Sequence, residues 1–113
     1  MKEIKAIIQP FMLSKVIDAL KELEELPGAT VSEVTGFGRG RAKQAAVKVI
    51  QESIEYARKA KIEIVIPDHL VDAVVQIIQT YAHTGSPGDG KIFISTVDDL
   101  VRIRTGERGN KAI

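Results

Sequence analysis

The chain repeats one pattern twice, and this repeat limits the folds it can adopt. Aligning Pro10 with Pro67 places two strand-like runs in equivalent positions, EIKAIIQP and KIEIVIP. Each run ends at a proline, which cannot donate to a central sheet ladder, and each is followed by a helical pattern. A further strand-like run follows each helical pattern, ATVSEVTGFG in the first half and KIFIST in the second. The chain therefore reads as two β-α-β units.

Both helical patterns carry one apolar stripe, because their apolar residues recur at i, i+3, i+4 and i+7. The stripes consist of Leu13, Val16, Ile17 and Leu20 in the first helix, and of Leu70, Ala73, Val74 and Ile77 in the second. Two such units pack as a four-stranded antiparallel sheet with both helices on one face. The sequence thus predicts a single α+β domain over residues 1–113, with a ferredoxin-like βαββαβ fold.

The sheet face without helices needs cover of its own. Apolar neighbours such as Ile7 and Ile8, or Ile92 and Phe93, cannot all point towards the helices, because successive side chains of a strand alternate between faces. An oligomer that stacks these faces is the simplest solution.

Composition excludes several classes of function. With 16 basic and 15 acidic residues the net charge is +1, which gives no footprint for general nucleic-acid binding. Cysteine is absent, so disulfides, thiolate metal sites and thiol catalysis are excluded. No apolar run approaches the roughly 20 residues that span a membrane, and we expect a cytoplasmic protein.

A glycine-rich turn followed by a cluster of cations points to a phosphate ligand. The stretch 85–109 reads GSPGDGKIFISTVDDLVRIRTGERG. Glycines let backbone N–H groups approach a ligand closely, and Lys91, Arg102, Arg104 and Arg108 supply positive charge. If VRIRT is extended, Arg102 and Arg104 share one face while Val101 and Ile103 face the core. The alternative is a hairpin whose arginines pair with Asp98, Asp99 and Glu107 at the surface.

Gly85 to Lys91 also spells G-x-x-x-x-G-K, but two features argue against a P-loop. Ile92 stands where a magnesium-binding Ser or Thr is required. The following KIFIST reads as a strand, whereas a P-loop opens a helix.

The segment between the halves gives conflicting signals. Residues 40–60 contain no Gly or Pro after position 40, and Val47, Ile50, Ile54 and Ala57 fall at helical spacing. A third helix would interrupt two strands that should form a hairpin, and such conflicts tend to mark functional segments.

The conjunction of KAIIQPF, TVSEVTGFGR, KIEIVIPD, TGSPGDGKIF and VRIRTGERG resembles the PII signal-transduction proteins over essentially the whole chain. The resemblance implies a trimer that binds ATP or ADP in clefts between subunits, with Mg²⁺ accompanying ATP. It also implies three loops: a T-loop at about 39–59, a B-loop at 84–90 and a C-terminal loop at about 102–108. Such proteins regulate a client protein through the T-loop and are not enzymes in the usual sense.

Residue by residue, the resemblance implies a nucleotide site and a site for the carboxylate of 2-oxoglutarate. Thr30 and Val65 match residues near the adenine, and Gly38 and Arg39 match contacts in the GFGR motif. The B-loop residues Gly88, Asp89, Gly90 and Lys91 match residues that bind the phosphates. Arg102 and Arg104 match arginines that reach the phosphates from the neighbouring subunit. Lys59 matches a lysine that meets a 2-oxoglutarate carboxylate. No catalytic residue and no protein metal site are expected.

Three departures from the family pattern alter these expectations. Gly40 replaces the glutamine that helps hold Mg²⁺ and 2-oxoglutarate, and glycine has no side-chain acceptor. Glu52 stands at the place of the modified T-loop tyrosine, and Ser86-Pro87 removes a cation from the B-loop. The expected protein therefore reads adenine nucleotides and binds 2-oxoglutarate weakly. The alternatives are a PII-like regulator of a metal-efflux or other transporter, and a weak ATP-hydrolysing enzyme.

Overall fold

The computed structural model describes residues 1–38 and 57–113. Its regular elements, in chain order, are β1 (Lys2–Ile8), α1 (Leu13–Lys21), β2 (Thr30–Gly36), β3 (Ala57–Ile66), α2 (Val71–Ala82) and β4 (Gly90–Thr96). A short 3₁₀ turn precedes each helix, at Pro10–Met12 and Asp68–Leu70. The two-fold repeat of the sequence is thus a repeat of strand, 3₁₀ turn, helix and strand. The predicted helix within residues 40–60, the modification position Glu52 and most of the T-loop lie outside the described residues; β3 begins at Ala57.

The four strands form one sheet in the order β2-β3-β1-β4, and every neighbouring pair is antiparallel. The two first strands of the repeat, β1 and β3, lie side by side in the centre, and the two second strands form the edges. This is the strand order of the ferredoxin-like fold, and the fold prediction is confirmed.

The core lies between the two helices and the central strands. Alternate residues of both central strands point into it, because strand side chains have a period of two. They meet the apolar stripes of α1 and α2, so that the largest fully buried side chains are Ile4, Ile8, Val16, Leu20, Ile62, Ile64, Ile66, Val74 and Ile78. The helices cover the centre of the sheet better than its edges, since Val31 on β2 and Ile94 on β4 remain exposed.

The face without helices is mixed in character. Ile8 and Ile92 belong to the helix side, whereas Ile7 and Phe93 lie on the free face. Charged residues share the free face: Lys5 is paired in register with Glu63, whose carboxylate lies 3.5 Å from the Lys61 ammonium. Adjacent opposite charges lower the cost of burying such a face against another subunit. The free face is therefore less apolar than the sequence runs suggest.

Two loops meet at one end of the sheet. Ile8, the last residue of β1, is paired with Gly90 at the start of β4 and with Ala60 near the start of β3. Gly36, the last residue of β2, is paired with Ala57. The B-loop, which leads into β4, and the base of the T-loop, which joins β2 to β3, are consequently neighbours.

The C-terminal segment is a turn and not the extended piece considered for VRIRT. Val101 bridges to Arg108, the Arg102 N–H donates to the Glu107 carbonyl, and the Gly106 N–H donates back to the Arg102 carbonyl. Val101 is exposed and Ile103 is 99% exposed, so the prediction that they face the core is wrong. A turn over residues 103–105 breaks the strict alternation on which that prediction relied.

Candidate functional site

The B-loop is organised around one carboxylate. Asp89 accepts hydrogen bonds from the backbone N–H groups of Thr84 at 2.7 Å and Gly85 at 2.9 Å, and from the Thr84 hydroxyl. Its fourth donor is the Gln9 side-chain amide, at 3.0 Å. The Thr84 hydroxyl, followed by the two backbone donors, lowers the pKa of Asp89 to about 2. The side chain is therefore ionised near neutral pH, and it points into its own loop.

Two further hydrogen bonds join residues within the B-loop. The Asp89 N–H donates to the Ser86 carbonyl at 3.1 Å, and the Gly88 N–H donates to the Ser86 hydroxyl at 3.2 Å. The latter is a long bond to a rotatable group, which an anionic oxygen can replace. A charge-assisted bond from a backbone N–H to a phosphate oxygen is stronger than one to a neutral hydroxyl.

The loop leaves through a glycine whose conformation other residues rarely adopt. Gly90 has φ +104°, and a Cβ built on it would lie 1.7 Å from the Ile7 carbonyl oxygen. The backbone of the B-loop thus passes directly against β1, and Lys91 follows as an exposed cation on the free face of the sheet. The requirement for glycine comes from this contact.

Lys59 connects the B-loop to the base of the T-loop. This residue lies on β3, opposite Val34 of β2, and its ammonium donates to the Gly88 carbonyl at 2.9 Å. Lys59 is half-buried and already has a protein acceptor. A carboxylate ligand would therefore meet an ammonium that is not free.

The residues matched to the adenine do not lie at the B-loop. Thr30 and Val65 line an open groove of about 470 Å³ along the β2–β3 side of the sheet, together with Glu3, Gly28, Ala29, Glu63 and Ile64. Ideal strand spacings put Thr30 about 17 Å from Gly90, because the two residues are three strands apart and three residues out of register. Within one subunit, the groove and the B-loop stand at opposite edges of the sheet.

The arginines belong to the segment that follows β4. This strand is seven residues or about 20 Å long, and the B-loop lies at its other end. Arg102 is held by Glu107 at 3.5 Å and by the Ile113 carbonyl at 3.1 Å, and Arg108 pairs with Asp99 at 2.6 Å. The surface pairing considered for Asp99 and Glu107 therefore exists. Arg104 is exposed and has no ion pair among the residues that the structure describes.

The structure thus divides the predicted site residues into two sets. The B-loop residues Gly88, Asp89, Gly90 and Lys91 stand together with Lys59. The second set comprises Thr30 and Val65 in the groove, and Arg102 and Arg104 after the far end of β4. Gly38 is the last described residue before the T-loop, and Arg39 lies outside the described residues. Sequence reasoning missed Gln9. Its signal in the sequence was a polar side chain directly before Pro10, at the end of the first strand-like run.

Comparison with known sequences identifies the family. The sequence model described as Nitrogen regulatory protein P-II matches residues 1–107. Proteins named Nitrogen regulatory protein P-II from Azospirillum brasilense and Rhodospirillum rubrum are each 46% identical to the chain, and one from Synechocystis sp. is 48% identical. Each alignment covers all of both chains. The chain belongs to the P-II family. P-II proteins are signal-transduction regulators and not enzymes, which removes the ATP-hydrolysing enzyme as a reading of the site.

Two further findings bear on this P-II chain. Within residues 1–38 and 57–113, no helix is both long enough and apolar enough to cross a membrane. The same residues contain no group of three or more His, Asp or Glu side chains that could hold a metal ion. Both oxygens of Asp89 already accept two hydrogen bonds each, so this carboxylate has no free lone pair for a metal ion.

Proposed function

We propose that the chain is a trimeric regulator that binds ATP or ADP between subunits and controls a client protein through its T-loop. The observation that carries this proposal is the contact between Lys59 and Gly88, at 2.9 Å. A ligand on the B-loop changes the surroundings of Gly88, and Lys59 belongs to the strand that begins where the T-loop ends. The contact therefore gives a short physical route from a phosphate to the T-loop.

The separation of the two residue sets supports a site shared between subunits. The adenine-type groove and the arginines are one set, and the B-loop with Lys91 is the other. A neighbouring subunit that brings its β2 edge and its C-terminal segment against the B-loop joins the two sets. Closed rings of identical subunits use such heterologous contacts, in which different surfaces of the two subunits meet. The family resemblance implies that this ring is a trimer.

The test is nucleotide affinity in single variants, measured by calorimetry with ATP and with ADP. We expect Lys91→Ala and Arg104→Ala each to lose tenfold or more, because a hydrogen bond to a charged group contributes about 1.5–3 kcal/mol. Lys15→Ala is the matched control, since Lys15 is an exposed lysine of α1 that belongs to neither set. Unchanged affinity in both site variants, or no binding by the wild type, would contradict the proposal.

A separate experiment tests whether the T-loop recognises the client protein. A deletion of residues 41–57 removes most of that loop while leaving the B-loop sequence intact. We expect a client captured by the wild type, whether a nitrogen-control protein or a metal-efflux or other transporter, to be lost on this deletion. Capture that survives the deletion would show that another surface recognises the client.

A further inference from the structure

We propose that Asp89 and Gln9 are positioning residues that hold the B-loop in its phosphate-binding shape, and that the Asp89 carboxylate does not contact the ligand. This inference rests on the proposed function, in which the B-loop binds phosphates. It also reassigns Asp89, which the family resemblance placed among the nucleotide contacts.

The geometry of the carboxylate carries the inference. One Asp89 oxygen accepts from the Thr84 and Gly85 N–H groups, and the other accepts from the Thr84 hydroxyl and the Gln9 amide. Thr84 and Gly85 begin the loop and Asp89 stands near its end, so the carboxylate closes the turn on itself. Four donors fill the acceptor sites of a carboxylate and leave none directed at a ligand.

Charge leads to the same assignment. A carboxylate that faced a polyphosphate would repel it, since both groups are anionic. All four partners of Asp89 are neutral donors, and they consume the lone pairs that would otherwise face the phosphates. The carboxylate therefore orders the loop that binds an anion without entering the anion's contacts.

Gln9 anchors this loop to the sheet. The residue directly follows β1, and its amide is the one Asp89 donor that lies outside the loop. A Cβ built on Gly88 would lie 3.7 Å from the Gln9 amide nitrogen and 3.5 Å from the Lys59 ammonium. The carboxylate, the amide and the ammonium thus fix the loop relative to β1 and β3 at one place.

Two substitutions of the same residue separate positioning from charge. Asp89→Ala removes every hydrogen bond, whereas Asp89→Asn keeps the shape. The asparagine oxygen still accepts from the Thr84 and Gly85 N–H groups, and its amino group donates to the Thr84 hydroxyl and to a flipped Gln9 amide. Both variants remove the same negative charge. If Asp89 acts through the geometry of its hydrogen bonds, the two variants differ in affinity. If it acts through its charge, they do not.

The experiment measures ATP affinity by calorimetry and amide exchange of residues 84–90 in the nucleotide-free full chain. We expect Asp89→Ala to lose tenfold or more in affinity together with the exchange protection of the loop. Asp89→Asn should stay within about threefold of the wild type and keep the protection, which is rescue by the conservative variant. Gln9→Ala should lose part of both, and Asp18→Ala, an exposed aspartate of α1, should change neither.

Equal gains in affinity for the alanine and asparagine variants would show that Asp89 faces the phosphates, and would overturn the inference. Equal losses would do the same by showing that its charge is required. Loop protection that survives in both Asp89→Ala and Gln9→Ala would overturn it without reference to any ligand. If the wild type binds no nucleotide, the proposed function fails, while the exchange measurements still decide whether these residues order the loop. Should Asp89→Ala fold poorly, Gln9→Ala and Asp89→Asn supply the same comparison.

Discussion

Lys59 is the residue at which the two loops of the site come together. Its ammonium donates to the Gly88 carbonyl, and its backbone is paired with Val34 of β2. A carboxylate ligand at this position must compete with that carbonyl or share the ammonium with it. The residue is therefore both a candidate ligand contact and a structural link.

This link sharpens the expectation for 2-oxoglutarate. Gly40 supplies no side-chain oxygen where the family has a glutamine, and Lys59 is already engaged. We expect ATP to bind and 2-oxoglutarate to bind weakly or not at all, in a calorimetric titration with Mg²⁺ present. Gly40→Gln should improve 2-oxoglutarate binding, and Gly40→Ala is its control because alanine adds no acceptor. Tight, ATP-dependent binding of 2-oxoglutarate by the unmodified chain would contradict this prediction.

The lowered pKa of Asp89 predicts how the stability of the protein changes in acid. Its pKa of about 2 in the folded protein lies below the ordinary value of 3.8, because Thr84 and Gly85 donate to the ionised form. Depressing a carboxyl pKa stabilises the folded state above the ordinary pKa, and this contribution is lost as pH falls through the folded value. The melting temperature of the wild type, measured relative to that of Asp89→Asn, should therefore decrease as the pH is lowered from about 4 to about 2. A difference that is constant over that range would show that the carboxylate is not held as described.

At the scale of elements, the entry into β4 is the most restrictive point of the sheet. Gly90 is paired with Ile8 and lies against the Ile7 carbonyl, so the B-loop has no room for a side chain where it becomes a strand. The position of β4 on the β1 edge and the path of the B-loop are thus determined by the same contact. Lys91 owes its place on the free face to this register.

We expect Gly90→Ala to lower the free energy of unfolding by at least about 2 kcal/mol, because the new Cβ collides with backbone and the positive φ is strained. Gly88→Ala is the matched control in the same loop. Its Cβ would meet only ordinary contacts at 3.5 Å or more, so a change within about 0.5 kcal/mol is expected. Denaturant unfolding of both variants measures the difference. Equal stabilities would show that the close approach to Ile7 is not maintained in solution.

At the scale of the whole molecule, the two sides of the sheet are covered unequally. The helices bury one face, while the other presents Phe93 at 50% exposure among the charged residues Lys5, Lys61 and Glu63. Apolar residues of the edge strands are exposed as well. A neighbouring subunit covers these surfaces in the trimer that we propose.

The proposed trimer predicts that substitutions of two exposed phenylalanines affect the assembly differently. Phe93→Asp places a charge on the free face and should reduce the assembly to smaller species. Phe11→Asp, at a residue that is 68% exposed beside α1, should leave the trimer intact. Light scattering at micromolar concentration measures both masses. A monomeric wild type, or a trimer that persists in Phe93→Asp, would contradict the proposed arrangement.

The sequence by itself determined the elements and the core. Strand and helix periodicities are local properties of neighbouring residues, so the alternation in β3 and the stripe of α1 could be read before any contact was known. The stripe of α2 was read only in part, because Val74 is buried as expected while Ile78 and Ala82 are buried in place of Ala73 and Ile77. The duplicated pattern then left few topologies, and the ferredoxin-like order is among the simplest of them. The glycine and cation composition of the B-loop likewise indicated its chemistry.

Only the tertiary structure decided how the site is built. The bond between Gln9 and Asp89 joins residues 80 positions apart, and the contact between Lys59 and Gly88 joins residues 29 apart. No local pattern shows that a carboxylate turns into its own loop, or that a turn at 103–105 exposes Val101 and Ile103. Side-chain direction in a loop depends on which donors the fold brings near, and those donors come from other strands. For the same reason, the separation of the groove from the B-loop became visible only when the strands were placed in register.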